Sequence, residues 1–406
     1  MSTSGIMPGQ PSKLPWPDTI AEFVAAPGLR GVIAGVGSVG KCLGREVERQ
    51  NIVRPMIVCG DRVAVSSAAA AIKAALPMEP VFYDGSRPHT PRDTVDAGAA
   101  LARAAQVDGL VAIGGSSAVD CAKGIGVLLA SGTASIAALE PVDFASFMSR
   151  PPAQVASKIP LITASGTLSF AEFTGLFGAR HENRKLPYLD QDHVVRTIFL
   201  DGEMAASTPA DVWAETGIKA LDDALFSYCG HAHEEPFLDP LLTAAIAAII
   251  DLLPGSAGTP DPVLRQQVQT AVWITKSHQP RFDRPTYTGW FSTAARHAMG
   301  AVLDLPHGAG SCVALLAGLQ FHLPATRARQ QALAGSLGWA GNTVRPDQSP
   351  LADGLMHLMT RLGVPTQLAQ FSIDPARLED VAGAMLEESP RLGSHQDVLA
   401  ALRRVL

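Results

Sequence analysis

Short apolar runs alternate with amphipathic stretches between residues 30 and 200, and this alternation predicts strands at 31–34, 55–59, 80–83, 109–113, 159–162 and 197–200. Between several of them, segments 39–50, 63–75 and 93–105 repeat their apolar positions at the helical period. Strands separated by helices predict an α/β unit with a doubly wound, mainly parallel sheet. From Thr208 onward the character changes. Thr208-Pro209-Ala210-Asp211 predicts a helix start, with Thr208 as N-cap, Pro209 in the first turn and Asp211 closing a capping box. Segments 214–229, 240–253, 264–276, 311–321, 326–336, 350–362 and 375–386 then all carry the helical period. The pattern divides the chain into a flexible extension at 1–27, a dinucleotide-binding α/β domain at 28–205 and an all-helical domain at 206–406.

Composition agrees with two large cores. Of 406 residues, 47% are apolar and 17% charged, and the net charge of −6 gives no basic surface for nucleic acid or anionic membranes. Five cysteines (Cys42, Cys59, Cys121, Cys229 and Cys312) include no Cys-x-x-Cys pair, which predicts buried thiols in a reducing, cytoplasmic compartment. The first residues, rich in Ser, Gly and Pro, lack the apolar core of a signal peptide. The longest apolar run, 241–253, is interrupted by Asp251 and falls short of the ~20 residues of a membrane span, so it predicts a buried helix.

The chemistry concentrates in a few places. The apolar run 108–113 breaks into Gly114-Gly115-Ser116-Ser117, and a helix carrying Asp120 and Lys123 follows. Strand, glycine turn and helix present backbone N–H groups and a partial positive charge to a phosphate. A second turn, Gly35-Val36-Gly37-Ser38-Val39-Gly40, fits Gly-x-Gly-x-x-Gly, and Asp61 lies where an acidic side chain takes a ribose hydroxyl. Here two readings stand, a phosphate site and a structural turn. His297 and His307 flank one glycine-bounded loop, a candidate acid–base site. Lys219 precedes Asp223 by one helical turn, beside Asp222. His231-Ala-His233-Glu-Glu235 reads as a solvated loop rather than a metal site.

With these motifs in order, the chain resembles the iron-containing (group III) alcohol dehydrogenase family, and most closely its maleylacetate reductase branch. The carriers are the run from Ala112 to Lys123, Gly35-Val-Gly-Ser38, Thr216-Gly217-Ile-Lys-Ala-Leu and His297…Leu305-Pro306-His307-Gly308. The resemblance spans roughly residues 28–370. It implies a dehydroquinate synthase-like fold, a homodimer, and NAD(H) or NADP(H) as cofactor. It also places the diphosphate on Gly114-Gly115-Ser116-Ser117, with Ser116 replacing a family glycine, and Asp120 in the following helix. Gly37 and Ser38 stay near the cofactor, Asp61 meets the adenosine ribose and favours NAD, Ser165 keeps a hydroxyl near the nicotinamide, and Lys185 matches a family lysine. Leu161 and Ile162 stand where the family has threonines.

The metal positions depart from the family pattern of one Asp and three His. Lys219, Asp223 and Thr293 stand at three of the four, and only His307 is kept. A second register restores the Asp at Asp223 but places Ser227 at a His. The resemblance therefore implies a reductase of a small carbonyl compound or oxo-acid without a catalytic metal. In it the Lys219 ammonium takes the ion's place, Asp223 holds that ammonium, and His307 or His297 supplies the proton. Arg281, Arg284 and Arg296 are candidates for a substrate carboxylate. Two alternatives remain at this stage: a lyase, isomerase or binding protein on the same fold, and a metal enzyme with another ligand set.

Overall fold

The computed structural model describes residues 21–23, 29–142, 159–182, 184–189, 195–230, 238–277, 289–339 and 347–406. The strands in chain order are β1 (Ala21–Phe23), β2 (Gly31–Ala34), β3 (Pro55–Val58), β4 (Val81–Tyr83), β5 (Gly109–Gly114), β6 (Leu161–Ser165), β7 (Leu176–His181), β8 (Arg184–Leu189) and β9 (Val195–Leu200). Seven of them form one sheet in the order β1-β2-β9-β6-β5-β3-β4, parallel except for β1. β1 lies inside the segment expected to be a flexible extension, where it pairs with β2 instead. β7 and β8 form a separate antiparallel hairpin that apolar patterning did not predict, because its residues are only partly buried.

The central strands read as continuous apolar runs because both faces are covered. Successive residues feed opposite cores: Met56, Leu110, Ala112 and Leu161 face one cluster, and Ile57, Val111, Ile113 and Ile162 face the other. Gly114 at the end of β5 is in register with Ser165 at the end of β6, so the glycine turn sits mid-sheet at the carboxyl ends of the strands. The segment predicted as one helix at 63–75 divides into Asp61–Ala64 and Ser67–Ala75. Ser66 breaks it, since its hydroxyl accepts the Ala69 N–H and caps the second piece.

Beyond β9 the described elements are helical. The helix Ala210–Cys229 is buried along most of its length and packs against Leu238–Gly258 and His307–Phe321. Its start differs from expectation: no side chain caps it, and the Thr208 hydroxyl instead donates to Gly166 O at 2.7 Å, tying the helix to the loop after β6. Leu238–Gly258 runs past the predicted 240–253 and has the length and apolarity of a membrane span, yet it buries Leu242, Ile246, Ile249 and Leu253 against its neighbours. Pro262–Ser277, Phe291–Leu303 and Leu378–Glu388 are further helices of this half. All five cysteines are buried and unpaired.

Candidate active site

The two glycine turns end differently. Gly114 adopts φ 120°, a conformation that favours glycine, and hands the chain to the helix Ser116–Ser131, whose N-cap Gly115 provides no side-chain cap. Gly114, Gly115, Ser116 and Ser117 are partly exposed, so this helix N-terminus is open to an anion. At the other turn the Asp201 carboxylate accepts from Gly37 N at 2.9 Å and from Val39 N at 2.8 Å, while Ser38 N donates to Gly35 O. Of the N–H groups expected to reach a phosphate, that of Gly37 is therefore taken by the chain's own carboxylate and that of Ser38 by the Gly35 carbonyl. Of the two turns, the one at Gly114 keeps a partly exposed helix N-terminus without a side-chain cap.

The other expected cofactor contacts divide in the same way. Asp61 is exposed just past the end of β3, with one oxygen on the Arg62 N–H. Asp120 instead turns inward, accepting from Gly178 N at 3.3 Å with Lys185 Nζ at 3.7 Å. Lys123 is fully buried, and its ammonium donates to the carbonyls of Ala171, Thr174 and Leu176. That clamp positions the segment carrying Glu172, a buried acid missed in the sequence. Burial pushes the Glu172 carboxyl above its ordinary range, and it faces the buried Ser165 hydroxyl at the end of β6.

The region expected to replace a metal is a network of charges. Asp223 meets Lys219 Nζ at 2.8 Å, Arg296 Nη2 at 2.9 Å, and Lys276 Nζ at close hydrogen-bonding range. Burial alone would raise the Asp223 carboxyl, but Arg296, Lys219 and Lys276 together hold it well below the usual carboxylate range. The same Arg296 donates to Asp222 at 3.0 Å, and the Ser292 hydroxyl donates to the other Asp222 oxygen. Burial lifts Asp222 to about 6 against the pull of Arg296. Lys276 is lowered to about 7 by burial, with Asp223 opposing and the neighbouring cations adding to the shift. Lys219 also donates to Ser169 O at 3.0 Å. Its side chain is 16% exposed, against 5% for Lys276 and 8% for Arg296, so it is the most exposed cation of this network. Sequence spacing revealed Lys219 and Asp223 but not Lys276; two adjacent carboxylates in an apolar helix were the signal that buried cations must face them.

A histidine cluster adjoins this network. His307 opens the helix His307–Phe321, and Gly308 beside it packs directly on Glu215, one turn before Lys219. A side chain at residue 308 would collide there, since a Cβ would stand 2.8 Å from that of Glu215. Lys185 Nζ lies 3.0 Å from His307 Nε2, and an ammonium only donates, so Nε2 accepts. Packing around the ring and the charge of Lys185 hold His307 well below the ordinary histidine range, so it is neutral. The rings of His89 and His297 each meet His307 edge-on with centroids 5.5 Å apart. His89 was not expected; burial and Lys185 lower it to about 4. His297 Nδ1 lies 2.7 Å from Glu388 Oε1. Thr293 shares the helix of Arg296 and His297, whereas His231, His233, Glu235, Arg281 and Arg284 lie outside the described residues. Among the described residues, no group of three or more His, Cys, Asp and Glu side chains is arranged to hold a metal ion.

Comparison with known proteins agrees with this architecture. The "Iron-containing alcohol dehydrogenase" family matches residues 30–202, and "Fe-containing alcohol dehydrogenase family, C-terminal" matches residues 213–406. An NADPH-dependent butanol dehydrogenase of Clostridium saccharobutylicum is 26% identical over 301 residues, covering 73% of this chain and 74% of its own. A maleylacetate reductase of Pseudomonas sp. (strain P51) is 25% identical over 312 residues, covering 75% of this chain and 76% of its own. Among solved structures, the sulfoacetaldehyde reductase of Bifidobacterium kashiwanohense in complex with NAD+ superposes with a TM-score of 0.74 at 18% identity, covering 94% of this chain and 98% of that one. The chain belongs to the iron-containing alcohol dehydrogenase family and is an oxidoreductase.

Proposed function

We propose that the chain is an NAD(P)H-dependent reductase of a small carbonyl compound or oxo-acid, similar to maleylacetate reductase, that works without a catalytic metal. The observation that carries this reading is the position of Lys219, the most exposed cation of the Asp223 network. A divalent ion here would meet two ammonium groups and a guanidinium around one carboxylate already bonded to all three, so the residues present do not fit it. A bound nicotinamide cofactor supplies the hydride. The open N-terminus at Gly115, Ser116 and Ser117 fits its diphosphate, and Asp61 fits a ribose diol, which favours NAD. Gly37 and Ser38 remain supports of the β2 turn, and Asp120 and Lys185 orient His307 from the hairpin side.

Lys219 stabilises the alkoxide that develops on the substrate oxygen, and Asp223, its carboxyl held well below the usual carboxylate range, keeps that ammonium in place. The proton comes from His307 or His297. All the relatives named above are dehydrogenases or reductases, which supports redox chemistry over a lyase, isomerase or binding role. The resemblance and the composition further support a cytoplasmic homodimer. The deciding experiment is Lys219→Ala. Turnover is expected to fall by about 10²-fold, the effect of removing one preorganised oxyanion donor, while fluorescence titration shows NADH binding retained. Unchanged turnover, or no binding of either nicotinamide cofactor by the wild type, overturns the reading.

A further inference from the structure

His297 and His307 meet edge-on, but their hydrogen bonds differ. His307 Nε2 already accepts from Lys185, and its Nδ1 is shut off from solvent without a partner among the described residues, so neither nitrogen has a proton to offer the cleft. His297 is the reverse case. A carboxylate only accepts, so the 2.7 Å contact with Glu388 places a hydrogen on Nδ1 and leaves Nε2 for exchange. The two side chains are 35% and 28% exposed, which gives water access to the pair. Glu388 is the last residue of the helix Leu378–Glu388, where the helix dipole disfavours a carboxylate. Its imidazole partner is what offsets that cost.

We propose that Glu388 is a positioning residue for proton delivery: it holds the His297 ring with Nε2 presented to the cleft, so that His297, rather than His307, protonates the substrate oxygen. This rests on the reductase reading above. As hydride adds to the carbonyl carbon, the π electron pair moves to the oxygen. The Nε2–H bond of the His297 imidazolium then yields its proton to that alkoxide and leaves a lone pair on Nε2. Water restores the proton to Nε2.

The test uses the full chain with Glu388→Ala and Glu388→Gln. Glu388→Ala is expected to lower kcat about tenfold, a part of what general-acid catalysis contributes, with KM changed less than about twofold. Glu388→Gln, whose amide oxygen still accepts from Nδ1–H, is expected to recover at least half of the loss. Independently of turnover, ¹⁵N NMR of histidine-labelled, cofactor-free protein should show His297 as the Nδ1–H tautomer in the wild type and as a mixture in Glu388→Ala, the signal being assigned with His297→Gln. Unchanged kcat in Glu388→Ala, equal losses in both variants, or an unaltered His297 tautomer would each overturn the proposal. A wild type that reduces no carbonyl compound overturns the reductase reading instead, and the tautomer still reports whether Glu388 holds the ring.

Discussion

At the scale of single residues, the buried charges around Asp223 decide most. A carboxylate that bonds two ammonium groups and a guanidinium is the keystone of its neighbourhood, since removing it leaves the buried Lys276 without its counter-ion and takes a partner from Lys219 and Arg296. Asp223→Asn is therefore expected to destabilise the chain by about 3–5 kcal/mol, measured by urea denaturation. Replacing both members of one pair, Asp223→Leu with Lys276→Met, should cost less than the single change, because the most deeply buried cation leaves with its counter-ion. A double variant less stable than Asp223→Asn would contradict this account. Of these residues, only the Lys219–Asp223 pair was legible as a pair in the sequence, through its helical spacing. Arg296 could be suspected of meeting an anion but not of bridging Asp222 and Asp223, and Lys276 stands 53 residues from its partner.

At the scale of elements, the helix Phe291–Leu303 matters most, because it carries Thr293, Arg296 and His297. No side chain of its own caps it; His322 Nε2 accepts the Phe291 N–H at 2.9 Å, and the His322 ring stacks on Trp290. The cap requires a neutral ring, and burial lowers His322 from 6.5 to about 4. Between those values the unfolded chain binds a proton here that the folded chain does not, so this contribution to stability is lost as pH falls, by up to roughly 3 kcal/mol. His322→Gln keeps an acceptor for the Phe291 N–H but does not titrate. The advantage of wild type over His322→Gln at pH 7.5 should consequently shrink by pH 4.5; a constant difference between the two pH values would falsify the assignment.

At the scale of the whole molecule, the cleft is made by bonds between its halves. Lys185 from the β7–β8 hairpin meets His307, the amide of Gln269 donates to Ser165 O at the end of β6, and Arg180 bonds Asp304. Cations of one half thus meet a histidine and a carboxylate of the other. The metal-free reading has a direct consequence. Protein dialysed against a chelator should contain less than stoichiometric divalent metal and keep its reductase activity, and loss of activity restored by one metal would refute that reading. Gel filtration with mass determination tests the homodimer on the same preparation.

The sequence by itself determined the α/β half, the helical half and the glycine turn at Gly114. Those features rest on local rules: apolar period, turn chemistry and the uncapped start of a helix. The expectation that Lys219, Asp223 and Thr293 replace the family's metal ligands also came from the sequence. Only the tertiary structure showed that a carboxylate fills the turn at 35–40, because it comes from Asp201, 164 residues beyond Gly37. It likewise decided which histidine holds a carboxylate and which cations surround Asp223. Such convergence depends on how packed elements bring distant side chains together, and no local period encodes it.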